Sequence, residues 1–263
     1  MSADLIVLRK NLEALERVLV AFSGGADSAF LAWVAHDTLG YESARCFTAV
    51  SPSIADSELE DCALLAQEWG LNWEPIETSE MENAAYRLND SDRCYYCKSA
   101  LMDVAEPVAQ LHDCVVVLGV NTDDLGDHRP GQSAAEERRA RFPLVEAQFS
   151  KTDIRTHSQH LGLRTWDKPA AACLASRIPY GTEVSVPLLR KLDRAESALK
   201  ALGFEQLRVR DYGEVARLEF DLDQLSVALE RRTEIIEAVK AVGYQYVTLD
   251  LEGFRSGNLN HSI

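Results

Sequence analysis

Short apolar runs and longer amphipathic stretches alternate along roughly the first 165 residues, the pattern expected when strands and helices follow one another. The first run, at 17–22, is rich in β-branched residues and meets a glycine-rich turn, after which a helical pattern begins at Ser28. Fully apolar strands of this kind are typical of buried parallel sheets. The pattern therefore predicts an α/β domain with a doubly wound parallel sheet. Its further predicted strands and helices cover 44–50, 56–69, 72–76, 99–111 and 114–120.

The pattern changes after Tyr180 and Gly181. A helix, two short strands, a second helix and a last strand follow. This order is too short for a doubly wound sheet and suits a small C-terminal α+β domain. The predicted domains are 1–182 and 183–263. The predicted elements of the second domain cover 187–202, 206–211, 215–220, 222–242 and 244–251.

The chain has 263 residues and a formal net charge of −15, from 27 basic and 42 acidic residues. Nucleic-acid binding depends on Lys and Arg side chains that neutralise phosphates. The deficit argues against nucleic acid as a partner and favours a small anionic substrate held by a few arginines. No stretch approaches the roughly 18 to 20 apolar residues that span a bilayer, and residues 1–16 lack the apolar core of a secretory signal. We therefore expect a cytoplasmic protein with no membrane partner. We also expect a homo-oligomer.

The glycine-rich turn has the sequence SGGADS at 23–28. Gly24 and Gly25 remove Cβ atoms where the backbone must approach an anion. Their N–H groups, with those that open the next helix, attract negative charge. Ser23 and Ser28 add hydroxyl donors. An ordinary strand-to-helix turn with an N-capping serine is the alternative interpretation.

Asp27, in the same turn, suits a magnesium ion or a helix cap. The whole string, placed between an apolar strand and a helix, resembles the PP-loop of the N-type ATP pyrophosphatase superfamily. It lacks the Lys and the spacing of a Walker A loop, which argues against a GTPase or a kinase. The resemblance implies that ATP is cleaved between its α and β phosphates and that AMP is left on an oxygen of the substrate. Asn121 and Asp124 follow another predicted strand, where ligands of such sheets bind, so we assign both to the ATP site.

The six cysteines of this chain are expected to be thiols, metal ligands or catalytic groups rather than disulfides. Cys94 and Cys97 form a C-x-x-C pair, which alone is ambiguous between metal ligation, a redox disulfide and chance. With the distant Cys173, the set leaves one ligand position open, which suits an iron–sulfur cluster with one unliganded iron. Arg177 near Cys173 favours the reactive thiolate; the alternative for Cys173 is a small buried side chain. Core packing is the expectation for Cys46, Cys62 and Cys114.

Five segments together resemble the LarE family of ATP-dependent sulfur transferases, which build the nickel-pincer nucleotide cofactor of lactate racemase. The likeness runs over almost the whole chain. The segments are SGGADS at 23–28, GVNTDDLGDHRPG at 119–131, RFPLVEAQFSK at 141–151, ACLASRIPYG at 172–181 and VTLDLEGFRSGNLN at 247–260.

This resemblance implies a reaction and its participants. The substrate is a pyridinium-3,5-dicarboxylate mononucleotide or its half-thiolated form. ATP and Mg²⁺ adenylate a carboxylate with release of pyrophosphate, and sulfur then displaces AMP to give a thiocarboxylate. In one branch of the family a cysteine that matches Cys173 gives up its own sulfur and becomes dehydroalanine, whereas in another three cysteines hold a [4Fe–4S] cluster that carries sulfide. The joint presence of Cys94, Cys97 and Cys173 points to the cluster branch.

An anionic substrate of this kind needs cations. The candidates are Arg177, Arg208 and Arg210, and the last two project from one face of a predicted strand. Solvent-exposed charge on a surface strand is the alternative for these arginines. Asp124 and Asp127 could bind metal or ribose, or cap turns. Glu196 is a weaker magnesium candidate, since a solvated helix face explains it nearly as well.

Three other functions remain open from the residues. A tRNA thiolase would share the loop and the cysteines, but the net charge of −15 counts against it. An ammonia-dependent synthetase of the same superfamily would share the loop but has no use for Cys173. A nucleotide- or cluster-sensing module would need no catalysis, and a pyrophosphate assay distinguishes it from an enzyme.

Overall fold

The computed structural model describes residues 4–126, 130–169 and 172–255. The chain forms two compact units, and each is assembled from separate stretches of sequence. The predicted domain division after residue 182 stays a prediction. The first unit comprises 1–51, 57–83 and 94–171, and the second comprises 52–56, 84–93 and 172–263.

Helices outnumber strands in the described residues. The strands are β1 (Val18–Ala21), β2 (Ala44–Val50), β3 (Asn72–Glu77), β4 (Val115–Leu118), β5 (Leu207–Tyr212), β6 (Val215–Phe220) and β7 (Tyr246–Leu249). The helices are α1 (Leu5–Glu13), α2 (Ala26–Leu39), α3 (Asp56–Trp69), α4 (Ala84–Arg87), α5 (Arg93–His112), α6 (Pro130–Glu137), α7 (Pro143–Glu146), α8 (Lys151–His160), α9 (Val186–Ala201), α10 (Leu225–Glu230) and α11 (Arg232–Ala241).

The first unit is built on a parallel sheet with the strand order β3-β2-β1-β4. Val18, Leu19 and Val20 of β1 are fully buried, which requires apolar cover on both faces of the sheet. Val18 and Val20 pack in a cluster with side chains of α1 and α2, while Leu19 packs in a cluster with side chains of α5. Helices therefore cover both faces, and the predicted doubly wound α/β fold is confirmed.

Some predicted elements have the observed bounds, as β2 and α3 do. The largest difference in this unit is at α5, which begins at Arg93 and not near 99. The sequence before it is acidic, and acidic side chains stabilise a helix N-terminus. The Arg93 N–H donates to the Asp90 carbonyl at 3.0 Å at this start. Residues 93–98, which lie before the predicted helix at 99–111, are therefore the first turns of a 20-residue helix.

The second unit carries a three-stranded sheet with the order β5-β6-β7, in which β5 and β6 are antiparallel and β6 and β7 are parallel. The predicted order of helix, two strands, helix and strand is present. The predicted helix at 222–242 is wrong as one element, because α10 ends at Glu230 and α11 begins at Arg232, with Arg231 between them. The Arg231 guanidinium donates to the Leu202 carbonyl and lies over the Phe204 ring, and this anchoring accompanies the break.

None of the helices formed by the described residues is both long and apolar enough to cross a bilayer.

Candidate active site

The SGGADS turn joins β1 to α2 at the carboxyl end of an interior strand. Gly24 has a φ of 68°, which L side chains rarely adopt, and a Cβ there would lie 2.9 Å from Cys62 Sγ. Gly25 has extended backbone and caps α2. A Cβ on Gly25 would come no closer than 3.6 Å to Ser23 Oγ. The backbone conformation at position 24 therefore requires glycine. At position 25 the missing side chain leaves open space at the N-terminus of α2.

The serine hydroxyls lie within this turn. Ser28 Oγ accepts a hydrogen bond from the Ser23 N–H at 3.2 Å and donates to the Gly25 carbonyl at 3.2 Å. The two serine hydroxyl oxygens are 3.0 Å apart. The first N–H groups of a helix have no partner within it. Together with the hydroxyls and the helix dipole they give the turn the chemistry of a phosphate site.

Gly119, directly after β4, approaches the turn from the neighbouring strand. A Cβ on Gly119 would lie 2.8 Å from Ser28 N and 2.9 Å from Ser28 Cα, so no other residue fits there without a shift. The sequence analysis did not single out Gly119 as a site residue. The available signal was a glycine at the end of a fully apolar strand, which often marks a close backbone approach.

Acidic and amide side chains from two strand ends meet beside the turn. Asn121 Nδ2 donates to Asp27 Oδ2 at 3.2 Å, and the Asn121 N–H donates to Asp124 Oδ2 at 3.3 Å. Lys151 Nζ lies 3.1 Å from Asp124 Oδ1. Burial raises the pKa of Asp27, and the nearby carboxylate of Asp124 raises it further. Perturbed carboxyls of this kind are common in functional sites. Asp127 lies outside the described residues.

Lys168 is a cation near the turn that the sequence analysis missed. Its Nζ would lie 3.7 Å from a Cβ on Gly24, and it pairs with Glu58 at 2.9 Å and Asp61 at 2.7 Å. Burial lowers the pKa of Lys168, but the two carboxylates raise it above its ordinary value. The ammonium is therefore charged at neutral pH. Only the fold brings it to the turn, since 140 or so residues separate the two in sequence.

The expectation of core packing is confirmed for three cysteines. Cys46 and Cys62 are buried in the core of the first unit, and Cys114 is partly buried against its other face. Burial raises the pKa of Cys46 to about 12 and that of Cys62 to about 11. These two thiols are therefore protonated and unreactive at neutral pH.

Cys94 and Cys97 lie in the first turns of α5, where a spacing of three residues puts them on one side of the helix. Cys94 is exposed and Cys97 is partly exposed. Burial lowers the pKa of the adjacent Lys98, while the two thiols act in the opposite direction. The two thiols can therefore ligate the same metal centre. Across 4–126, 130–169 and 172–255, however, the structure brings together no three His, Cys, Asp or Glu side chains that could hold a metal ion.

Cys173 belongs to the second unit and is exposed. It precedes a short helical turn, Leu174–Arg177, whose Leu174 and Ala175 are buried. The thiol therefore projects from a segment that is held in place by the residues behind it, and the alternative of a small buried side chain is wrong.

Arg177 forms a buried ion pair with Glu196, and the two residues are only 4% and 3% exposed. Its Nε and Nη2 donate to the two carboxylate oxygens of Glu196, each at 2.9 Å, and its Nη1 donates to the Cys173 carbonyl at 2.9 Å. Glu196 also accepts the Val209 N–H at 3.0 Å. Both oxygens of Glu196 therefore bind protein donors, an arrangement that gives its predicted magnesium role no support.

Arg208 and Arg210 are 8% and 5% exposed, so the alternative of solvent-exposed surface charge is wrong. Arg210 donates to Glu219 Oε2 at 2.8 and 3.0 Å and to the Ser176 carbonyl at 2.7 Å. Arg208 lies over the Phe254 ring, 4.9 Å from its centroid. Burial lowers the pKa of Arg208 to about 10, and the positive charge of Arg177 lowers it as well.

Comparison with known proteins identifies relatives of nearly full length. An uncharacterized protein of Synechocystis sp. is 47% identical over 259 residues, which are 97% of this chain and 96% of that protein. The pyridinium-3,5-bisthiocarboxylic acid mononucleotide synthase of Lactiplantibacillus plantarum is 36% identical over 253 residues, which are 96% of this chain and 92% of that enzyme. The chain belongs to the LarE family.

A shorter likeness connects this LarE family member with a second kind of enzyme. The glutamine-dependent NAD(+) synthetase of Aquifex aeolicus is 32% identical over 87 residues, 33% of this chain and 15% of that protein. This agrees with a PP-loop superfamily. No family model matches the chain.

Proposed function

We propose that this LarE family member is an ATP-dependent sulfur transferase that converts the carboxylates of pyridinium-3,5-dicarboxylate mononucleotide into thiocarboxylates. The observation that carries the proposal is its 36% identity, over 96% of the chain, to a synthase named for the bis-thiocarboxylate product. The glycine turn at 23–28, which combines helix N–H groups with hydroxyls, supports the use of ATP.

The first step of the proposed reaction is adenylation. A substrate carboxylate oxygen attacks the α phosphorus of ATP, the bond to the bridging oxygen of the β phosphate breaks, and pyrophosphate leaves. The turn at 23–28 holds the phosphates through its N–H groups and hydroxyls. Asp27 provides a carboxylate oxygen of the kind that Mg²⁺ prefers, and Asp124, held by Asn121 and Lys151, adds negative charge beside it. The step matters because AMP is a far better leaving group than the oxygen of a free carboxylate.

The second step is displacement of AMP by sulfur. A thiolate or sulfide adds to the acyl carbon, and the bond from that carbon to the AMP oxygen breaks. If Cys173 is the donor, a thioester to Cys173 forms. Loss of its Cα proton and cleavage of its Cβ–S bond then release the thiocarboxylate and leave dehydroalanine. Exposure of the Cys173 thiol supports this role.

Cys94, Cys97 and Cys173 are the proposed ligands of a [4Fe–4S] cluster, which when bound supplies a transferable sulfide. The spacing of Cys94 and Cys97 on one side of α5 fits two of these positions. Iron analysis of anaerobically reconstituted protein tests the proposal. The cluster predicts about four irons per chain, their loss in Cys94→Ala, and an unchanged protein mass after turnover. Loss of one H₂S per chain at Cys173, in protein that binds no iron, would overturn it.

The buried arginines are the proposed binding groups for the phosphate and carboxylates of the substrate. Arg208 is the first of them, because its buried guanidinium lies over the Phe254 ring and close to the positive charges of Arg177 and Arg210. Arg177 and Arg210 are engaged with Glu196 and Glu219, so they contribute positive potential and hold the site in shape.

A substrate panel distinguishes this function from its alternatives. Pyrophosphate release is measured with the pyridinium mononucleotide, with tRNA, and with ammonia plus a carboxylate dinucleotide. Release that requires the mononucleotide is expected. Release that requires tRNA or ammonia would support the corresponding alternative, and no release with any substrate would support a sensing module. We further propose a cytoplasmic homo-oligomer that binds no nucleic acid; light scattering and a nucleic-acid binding assay test these properties.

A further inference from the structure

The segment that carries Cys173 is held by hydrogen bonds to Ser53, to α4 and to the turn that follows α4, all in the second unit. The Leu174 N–H donates to the Ser53 carbonyl at 2.8 Å, and Ser53 Oγ lies 2.7 Å from Tyr86 Oη. The Val184 N–H donates to the Arg87 carbonyl at 2.8 Å. The start of the segment and the chain beyond it are therefore both fixed by backbone hydrogen bonds.

Asn89 binds the C-terminal part of the segment through hydrogen bonds. It is fully buried, and its Nδ2 donates to the carbonyls of Pro179 at 2.9 Å and Thr182 at 3.0 Å. The backbone carbonyl of Asn89 accepts a hydrogen bond from the Gly181 N–H at 3.1 Å. Asn89 has a φ of 57°, a conformation that asparagine tolerates better than most residues. A buried amide with this many partners fixes the course of the loop that it binds.

Arg93 connects Asn89 to the turn next to the cysteine. The residue is 5% exposed. Its Nη1 donates to Asn89 Oδ1 and, at 2.9 Å, to the carbonyl of Ala175, two residues after Cys173. Its guanidinium lies 5.8 Å from the centroid of the Tyr180 ring. One side chain thus holds the beginning and the end of the loop together.

We propose that Asn89 and Arg93 are positioning residues that hold the Cys173 loop in the conformation needed for sulfur transfer, a role that rests on the function proposed above. Both residues belong to the second unit, whereas the SGGADS turn and its acidic neighbours belong to the first. Their loss should therefore impair sulfur transfer while adenylation continues, because acyl-AMP that is not captured by sulfur is hydrolysed by water.

The variants are Arg93→Lys, which keeps the charge but loses the planar fork, and Asn89→Asp, which keeps the acceptor for Arg93 but loses the donors to Pro179 and Thr182. The matched control is Arg232→Gln. Arg232 is an exposed arginine of α11 in the same unit, and its Nη1 donates to the Leu229 carbonyl at 3.4 Å, away from residues 174–184 in the chain. Two measurements are made: thiocarboxylate formed per pyrophosphate released, and amide hydrogen exchange of residues 174–184.

In both variants the thiocarboxylate-to-pyrophosphate ratio should fall about tenfold, the size of effect expected for loss of one charged hydrogen bond. Pyrophosphate release should stay within about twofold of wild type, since neither residue belongs to the unit that carries the phosphate turn. Exchange at 174–184 should become faster, and Arg232→Gln should show neither effect. An unchanged ratio in both variants despite faster exchange would overturn the proposal.

Failure of the proposed function has a different signature. Wild-type protein would then release no pyrophosphate with the mononucleotide. In that case the hydrogen-exchange measurement still tests whether Asn89 and Arg93 hold the Cys173 loop, because it needs no substrate. Unchanged exchange at 174–184 in both folded variants would show that Asn89 and Arg93 do not position Cys173.

Discussion

At the scale of single residues, the two adjacent glycines of the phosphate turn are needed for different reasons. Gly24 has a positive φ and lies against Cys62 Sγ, so a side chain there strains the fold. Gly25 has an ordinary φ of −74° and space for a Cβ. A side chain at Gly25 would therefore be tolerated by the protein and would occupy the region that an anion needs.

Gly25→Val should fold with a melting temperature close to that of wild type but lose substrate-dependent pyrophosphate release by at least about a hundredfold, the scale on which a displaced reacting group loses rate. Activity is measured by pyrophosphate release and folding by circular dichroism. Gly24→Val is the comparison variant, and it should be destabilised as well as inactive. Normal release by folded Gly25→Val would remove the phosphate assignment of this turn.

Asp27 gives a pH-dependent prediction. Its pKa is raised above the ordinary 3.8, first by burial and then by Asp124, so folding favours the protonated form. The stabilising contribution is present below the ordinary pKa and is lost as the pH rises through the raised value. Asp27→Asn should therefore be more stable than wild type at neutral pH, and the difference should shrink toward about pH 4. Thermal unfolding across this range measures it; a difference that is independent of pH would contradict the raised pKa.

Several site residues could be predicted from sequence because they are local. The turn at 23–28 is one continuous string whose residue types imply its chemistry. Gly119 and Lys168 could not be found in this way, because strand pairing and loop packing bring them to the turn from distant positions. Burial of Arg208 and Arg210 was also missed, since alternation along a short strand does not show which face is covered.

At the scale of elements, the helix boundaries depend on contacts that the periodic pattern does not contain. The start of α5 at Arg93 follows from an acidic turn and a backbone hydrogen bond to Asp90. The break between α10 and α11 occurs where the Arg231 side chain is held at Leu202 and Phe204. Strands β2 and β6 were predicted with their observed bounds, because their apolar runs end at clear turns.

The ion pair between α9 and the turn before it leads to a stability prediction. Removing one partner of a buried pair leaves an uncompensated charge and costs about 3 to 5 kcal/mol. Glu196→Ala should therefore destabilise the second unit by about this amount, because the buried charge of Arg177 loses its carboxylate partner. Denaturant unfolding is measured with and without Mg²⁺. A wild-type stability that rises with Mg²⁺, and a Glu196→Ala variant that loses this rise, would restore the magnesium role.

Strand β5 provides the substrate prediction. Arg208→Gln should raise the KM for the anionic substrate about tenfold to a hundredfold, the range of a charge-assisted contact, and should lower its salt sensitivity, since one charge is removed. The KM for ATP should change little. Arg232→Gln, on the exposed side of α11, is the control. Unchanged substrate kinetics in Arg208→Gln would mean that this buried arginine is structural.

At the scale of the whole molecule, sequence was sufficient for the fold class because each segment is locally consistent with it. The apolar strand β1, the glycine turn and the α2 pattern all predict the same strand–turn–helix unit, and Val18, Leu19 and Val20 are buried as that unit requires. The net charge of −15 also acts at this scale. It leaves few cations to attract a phosphate backbone, while the buried arginines of the second unit concentrate positive charge locally.

The most direct test of the account is the stoichiometry of one reaction mixture. Anaerobic wild-type protein is incubated with ATP, Mg²⁺, sulfide and pyridinium-3,5-dicarboxylate mononucleotide, and pyrophosphate, AMP and the product mass are measured together. The account predicts equal amounts of pyrophosphate, AMP and sulfur incorporated in place of carboxylate oxygen, and no pyrophosphate when the mononucleotide is omitted. Pyrophosphate release that does not require the mononucleotide, or a product that gains no sulfur while pyrophosphate is released, would contradict it.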